Sequence, residues 1–168
     1  MGNKKGLTLI GMPGSGKSTI GKLLAGNLGW RFLDLDIHIK DRIGMSHSEI
    51  LEEKGDREFI RLEGDLALNL DYDRLVFSPG GSIVYSAQAM DRVKKETEIF
   101  YLLLPVSEIR ERLGSGINGR GIVGLKEKGL DRLFEERDIL YRKYADKILD
   151  CGGLDKNDIV NLISENLK

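Results

Sequence analysis

The stretch "GMPGSGKS", Gly11 to Ser18, constrains the architecture of this chain more than any other eight residues. It fits Gly-x-x-x-x-Gly-Lys-Ser/Thr. It also lies between an apolar run, "GLTLIG", and the segment "STIGKLLAGNLG", in which Ile20, Leu23, Leu24 and Leu28 recur at helical spacing. Strand, turn and helix in that order are the setting this motif requires. Glycines let the backbone turn tightly, so that NH groups from Gly14, Ser15, Gly16, Lys17, Ser18 and Thr19 converge with the positive helix end on phosphate oxygens. The Lys17 side chain then reaches toward the β- and γ-phosphates, and Ser18 is expected to hold Mg²⁺.

The rest of the chain continues the alternation. "RFLDLD", "RLVFS", "EIFYLLL" and "ADKILD" read as four further strands separated by helical stretches, and Pro105 fits the first turn of "PVSEIRERL". Strands alternating with helices predict an α/β fold: a three-layer, five-stranded parallel sheet with helices on both faces, joined by right-handed crossovers. A chain of 168 residues with 40% hydrophobic content can bury one core and is short for two, so residues 1–168 are expected to form a single domain. Twenty-six basic residues against twenty-seven acidic ones leave a formal charge of −1, which gives no global field to gather nucleic acid or an anionic membrane. An anion site must therefore be local. No apolar run approaches the ~20 residues that span a bilayer. The apolar part of "MGNKKGLTLIG" is short for a signal peptide, and Gly6 stands where an acylation signal after Met-Gly wants Ser or Thr. A cytoplasmic protein without nucleic-acid or membrane partners is expected. The lone Cys151 has no internal disulfide partner and no metal-ligand spacing around it, so it reads as packing or loop filler.

Further stretches carry chemistry. "FLDLDIH" sets Asp34 and Asp36 at the carboxyl end of a strand, the edge where open parallel sheets bind ligands. One can serve a metal and the other an acceptor hydroxyl, or either can cap the following helix. "FSPGGS" brings Gly80 and Gly81 to the same edge, either as a ligand-approach site or as an ordinary turn. "GSGINGRGIVG", residues 114–124, wraps five glycines around Arg120 and reads as a mobile segment: a lid that closes over a substrate, or a plain linker. In "EERDILYRKYADK", Arg137 and Tyr141 stand at i and i+4, and Arg137 is either a carboxylate clamp or a solvated charge. In "REFIRLEG", Arg57 and Arg61 also stand four apart, sharing a face that is either solvated or half of an anion site.

In their order and spacing these stretches resemble the shikimate kinase family, P-loop phosphotransferases of the nucleoside-monophosphate-kinase-like group. The resemblance rests on "GMPGSGKSTIGKLLA", "FLDLDIHI", "GDREFIRLE", "VFSPGGSIV", the arginine-bearing loop and "RDILYRKYAD", and it covers nearly the whole chain. It implies a P-loop kinase domain, expected to be a monomer, with a substrate-binding helical region at 36–64 and a mobile lid at 113–125. ATP with Mg²⁺ would be the donor, and a small hydroxylated carboxylic acid the acceptor. Shikimate is the first candidate, converted to shikimate 3-phosphate in aromatic amino acid biosynthesis. By this likeness Asp34 contacts the magnesium shell, while Asp36 binds the acceptor hydroxyl and takes its proton. Gly81, beside Gly80, approaches the substrate and Arg137 binds its carboxylate. Arg120 comes from the lid onto the phosphates, and Arg112 lies near the adenine. Lys17, Asp36 and Arg120 form the catalytic set. Such a set suits phosphoryl transfer, which needs in-line positioning and charge stabilisation more than covalent help from the protein.

The chain departs from the family pattern at three places. Ser82 stands where a third glycine is usual, "GRGIVG" replaces an Arg-Pro-Leu-like continuation, and Ile60 occupies the position of an arginine that binds the substrate carboxylate. Glu63 matches a family glutamate that would orient that arginine. Arg57, three residues before Ile60, is expected to reach the acceptor in its place, ahead of Arg61. The alternatives are a kinase of another polyol acid, gluconate-like, or of a nucleotide, and a nucleotide-binding module without transfer activity. Asp36 argues against a nucleotide, whose phosphate it would repel. Lys17, Ser18, Asp34, Asp36 and Arg120 argue against an inactive module.

Overall fold

Five short strands form the middle layer of the computed structural model, which describes residues 4–167. They are β1 (Gly6–Ile10), β2 (Arg31–Asp34), β3 (Leu75–Ser78), β4 (Thr97–Leu103) and β5 (Lys147–Asp150). All are parallel, in the order β2-β3-β1-β4-β5. Every residue of β1 and β3 is buried, as expected of central strands covered by helices on both faces. Gly6 opens β1 because a Cβ there would lie 2.4 Å from the Tyr72 carbonyl oxygen.

The helices are α1 (Lys17–Leu28), α2 (Leu35–Ile43), α3 (His47–Leu68), α4 (Ala87–Glu96), α5 (Val106–Leu113), α6 (Leu125–Tyr144) and α7 (Lys156–Asn166). Leu7, Leu9, Val76, Phe77, Ile99 and Phe100 from the sheet meet Ile20, Leu24, Met90, Val93, Ile109 and Ile163 from the helices in a continuous buried core. Cys151 is buried within it.

Three local features differ from a reading by pattern alone. β2 ends at Asp34, two residues early, because the Asp34 carboxylate accepts hydrogen bonds from the NH groups of Asp36 (3.0 Å) and Ile37 (3.2 Å) and so starts α2. Asp36 therefore stands on a helix rather than on a strand. The helices α3 and α6 are each broken by a glycine with positive φ, Gly55 at 78° and Gly129 at 72°. Finally, Gly114–Gly119 is a 3₁₀ helix, not a featureless loop.

No helix among the described residues is long and apolar enough to cross a membrane. The Met1-Gly2 start, weighed above for acylation, lies outside the described residues.

Candidate active site

Parallel strands deliver their carboxyl ends to one edge, and here that edge opens into a cavity of about 510 Å³, ample for a small-molecule ligand. After β1 the chain turns through Gly14 (φ 83°) and Gly16 (φ 92°), left-handed conformations that side chains resist. Gly16 then serves as N-cap of α1. Gly14, Gly16, Lys17, Ser18 and Thr19 line the cavity. Ser15 does not: its NH donates to the Met12 carbonyl (3.1 Å) and its hydroxyl is buried without a partner among the described residues. The Lys17 ammonium folds onto the loop, donating to the carbonyls of Gly11 (2.8 Å) and Met12 (3.0 Å). Burial lowers its pKa to about 8, against the opposing pull of Asp36 and Asp34.

Asp34 lies behind Ser18 rather than on the cavity wall. One carboxylate oxygen caps α2, as one reading of its sequence position had it, and the other accepts a hydrogen bond from the Ser18 hydroxyl. Serine hydroxyl and carboxylate are hard oxygen donors, and Mg²⁺ bound with nucleotide phosphates needs only one or two protein ligands of this kind. Ser18 and Asp34 therefore fit the ion.

Asp36 lines the cavity, with half of its side-chain surface open. Crowding by protein atoms raises its pKa, and His47 and Lys17 work in the opposite direction. The half-exposure of its side chain tempers that rise. The His47 Nε2 is 3.7 Å from an Asp36 oxygen, too long for a hydrogen bond, and is buried without a partner among the described residues. Its ring packs edge-on against Phe59 at 4.8 Å.

Gly80 and Gly81 form the floor. A Cβ on Gly80 would fall 2.2 Å from Glu63 Oε1 and 2.8 Å from Asp36 Oδ1. One on Gly81 would fall 2.7 Å from Arg137 Nη1. The glycines thus make room for functional side chains at the floor. Arg137 is 1% exposed, donates to the Val123 carbonyl (2.8 Å) and lies 5.4 Å over the Tyr85 ring. Arg112 and Arg120, both exposed, also line the cavity, and Arg112 reaches the Gly14 carbonyl at 3.3 Å.

The glycine-rich segment is docked against α3. The Ser48 hydroxyl donates to the Gly119 carbonyl (2.8 Å), the Gly124 NH donates to Asp56 (2.9 Å), and Gly121 packs so closely that a Cβ would lie 2.5 Å from the Ser48 nitrogen.

Arg57, expected to reach the acceptor, stands away from the cavity. It is exposed and absent from the cavity wall, as is Arg61, which pairs with Glu58 and Asp65. Two successive three-residue steps each slip by about 60°, so Arg57 stands about 120° around the helix from Glu63. Phe59, Glu63 and Ala67 hold the buried face, which leaves Arg57, Arg61 and Asp65 to water.

Sequence reasoning assigned no role to His47, and it did not foresee that Glu63 would lack a cation or that Tyr85 would flank Arg137. The capping box Ser46-x-x-Glu49 marks the α3 start and is legible, but nothing in a lone histidine at the next position tells which way its ring faces.

The sequence profile of the shikimate kinase family matches residues 13–168. A shikimate kinase of Persephonella marina is 34% identical over 95% of this chain and 96% of its own length. One from Thermodesulfovibrio yellowstonii is 35% identical over 95% and 92%. Among solved structures, shikimate kinase from Acinetobacter baumannii in complex with shikimate superposes with a TM-score of 0.88 at 28% identity, covering 98% of this chain and 93% of that one. A phosphate loop, a carboxylate and a buried arginine around one cavity, together with likeness along nearly the whole length, place this chain in the shikimate kinase family.

Proposed function

We propose that this chain transfers the γ-phosphoryl group of ATP to a hydroxyl of shikimate. The observation that carries the reading is that Lys17, Asp36 and Arg137, from three separate elements, face one cavity. Phosphoryl transfer to a hydroxy acid needs a phosphate cradle, a proton acceptor and a cation for the carboxylate, and the shared cavity supports giving these three residues those roles.

Gly14, Gly16 and Thr19 hold the donor phosphates by backbone contact, and Ser15 contributes by shaping the loop. Lys17 swings from the Gly11 and Met12 carbonyls onto the phosphates. Ser18 and Asp34 hold Mg²⁺, which when bound neutralises phosphate charge. Asp36 orients the acceptor hydroxyl and takes its proton, and its raised pKa makes it a stronger base than a solvated aspartate. Arg137 grips the acceptor carboxylate while Gly80 and Gly81 admit the ring close to the backbone. Arg120 stabilises the transferring phosphoryl group from the lid, and Arg112 borders the adenine. The docked lid excludes water that would otherwise compete for the phosphoryl group. Residues 1–168 act as one kinase domain and, in this reading, as a cytoplasmic monomer. The scatter of the exposed large apolar side chains Leu23, Ile37, Ile43, Ile139 and Ile148 over four elements supports the monomer.

A coupled ADP-release assay across shikimate, gluconate, related acids and nucleoside monophosphates tests the proposal. Shikimate is expected to give the highest kcat/KM, and turnover confined to another acceptor overturns the assignment.

A further inference from the structure

One buried group in the cavity wall has no cation bonded to it among the described residues. Glu63 is 0% exposed, lines the cavity and is neighboured on its helix by the apolar Ile60. Its two oxygens differ. Oε2 accepts a hydrogen bond from the Ser82 hydroxyl, whereas Oε1, lying over Gly80, has no partner among the described residues. A buried carboxyl oxygen without a partner is costly, and the cavity is where one can arrive.

We infer that Glu63 is an acceptor-binding residue in this chain: Ser82 fixes one carboxyl oxygen, and the other, carrying a proton, donates a hydrogen bond to the acceptor's carboxylate alongside Arg137. Ile60 and Ser82 thus converge on one carboxyl. The first withholds a cation that would keep Glu63 ionised, and the second supplies a hydroxyl that leaves Oε1 as the free end. Lys17, Asp36, Arg137 and Tyr141 are the titratable and charged groups that face it. Burial raises the Glu63 carboxyl to about 8, Asp36 adds to the rise, and Ser82, Arg137 and Lys17 only partly offset it. At neutral pH a neutral acid faces the acceptor. Ionisation would replace a donor with a charge that repels the acceptor's own.

The inference rests on the shikimate reading for the acceptor's identity, and the test separates the two. The acceptor KM of the wild-type enzyme is expected to be flat from about pH 6 to about pH 7.5 and then to climb, approaching tenfold per unit above about pH 8. Glu63→Gln, isosteric and unable to ionise, should keep the low-pH KM within about threefold and abolish the climb. Glu63→Ala should raise acceptor KM roughly tenfold or more while ATP KM stays within about twofold. Lys17 titrates in the same window but acts on the donor phosphates, so it leaves the Glu63→Gln comparison clear. Difference infrared spectroscopy at about pH 6.5 supplies the arm independent of turnover: a protonated-carboxyl band present in wild type and missing from Glu63→Gln, shifting when the acceptor binds. If shikimate is inert but another acid of the panel shifts that band, the acceptor assignment fails and the Glu63 inference stands. Absence of the band in the wild-type enzyme, an acceptor KM indifferent to pH, or Glu63→Gln as impaired as Glu63→Ala overturns the inference.

Discussion

The same burial acts on two cavity residues from opposite sides: it pushes Lys17 down to about 8 and Glu63 up to about 8. Each is thereby less charged near neutrality than its type would suggest, and each is ready to respond when an anion arrives. Arg137 differs, since a guanidinium stays ionised even at 1% exposure and so brings a permanent cation to the cavity. This ranks the arginines. Arg57→Ala and Arg61→Ala are each expected to leave acceptor KM within about twofold, because both side chains sit in water. Arg137→Ala should raise it on the order of 30-fold or more, the cost of stranding a buried carboxylate. Steady-state kinetics at fixed ATP decide the order, and a large effect at Arg57 with none at Arg137 would reverse it. The residues that answer a strong chemical demand were legible: Lys17 and Ser18 from motif spacing, Asp36 and Arg137 from family likeness. Three-residue spacing does not bring Arg57 onto the face of Glu63, because the helix turns about 60° short at each such step. His47 could not be read, since a ring's direction depends on Phe59 and the lid packing around it.

At the scale of elements, the glycine-rich segment rests on the start of α3, and the proposed lid role makes that contact matter to the acceptor. Gly121 holds φ at 64° and admits no Cβ against Ser48 and His47, so Gly121→Ala carries both backbone strain and a clash. It should lower kcat/KM for the acceptor about tenfold or more, whereas Gly116→Ala, with open space around it, should change it less than about twofold. Parallel kinetics on the two variants check this, and equal losses would show that glycine flexibility rather than the docked contact matters. The strands themselves were readable because apolar runs bounded by turn residues leave few alternatives. Their ends were not: the Asp34 cap shortens β2 by hydrogen bonds that alternation does not encode. The 3₁₀ turn at Gly114–Gly119 was hidden for a related reason, since glycines advertise freedom and the tertiary contacts that remove it, at Ser48 and Asp56, lie more than sixty residues away.

For the molecule as a whole, a buried acid with a raised pKa makes stability depend on pH. The folded state keeps the Glu63 proton where the unfolded chain has lost it, so its contribution is fully favourable below pH 4.5 and is lost as pH rises through about 8. Glu63→Gln removes that dependence. The variant should gain on wild type between about pH 5 and about pH 8, by a margin on the order of a few kcal/mol at the upper end. Urea midpoints measured across that range test it, and a constant difference between the two proteins would contradict it.

The strand order β2-β3-β1-β4-β5 places the phosphate loop after the central strand, while α2 and α3 follow β2 at the sheet's edge. Two parts of the cavity wall, the phosphate loop and the α2–α3 side, are therefore mounted at different depths. Changes to the inner mount propagate through strands buried on both faces, whereas the outer one borders solvent and can be recut with the sheet left standing. Ile60 and His47 both lie on that outer mount, as a lock is rekeyed by changing its wards while the bolt stays in place.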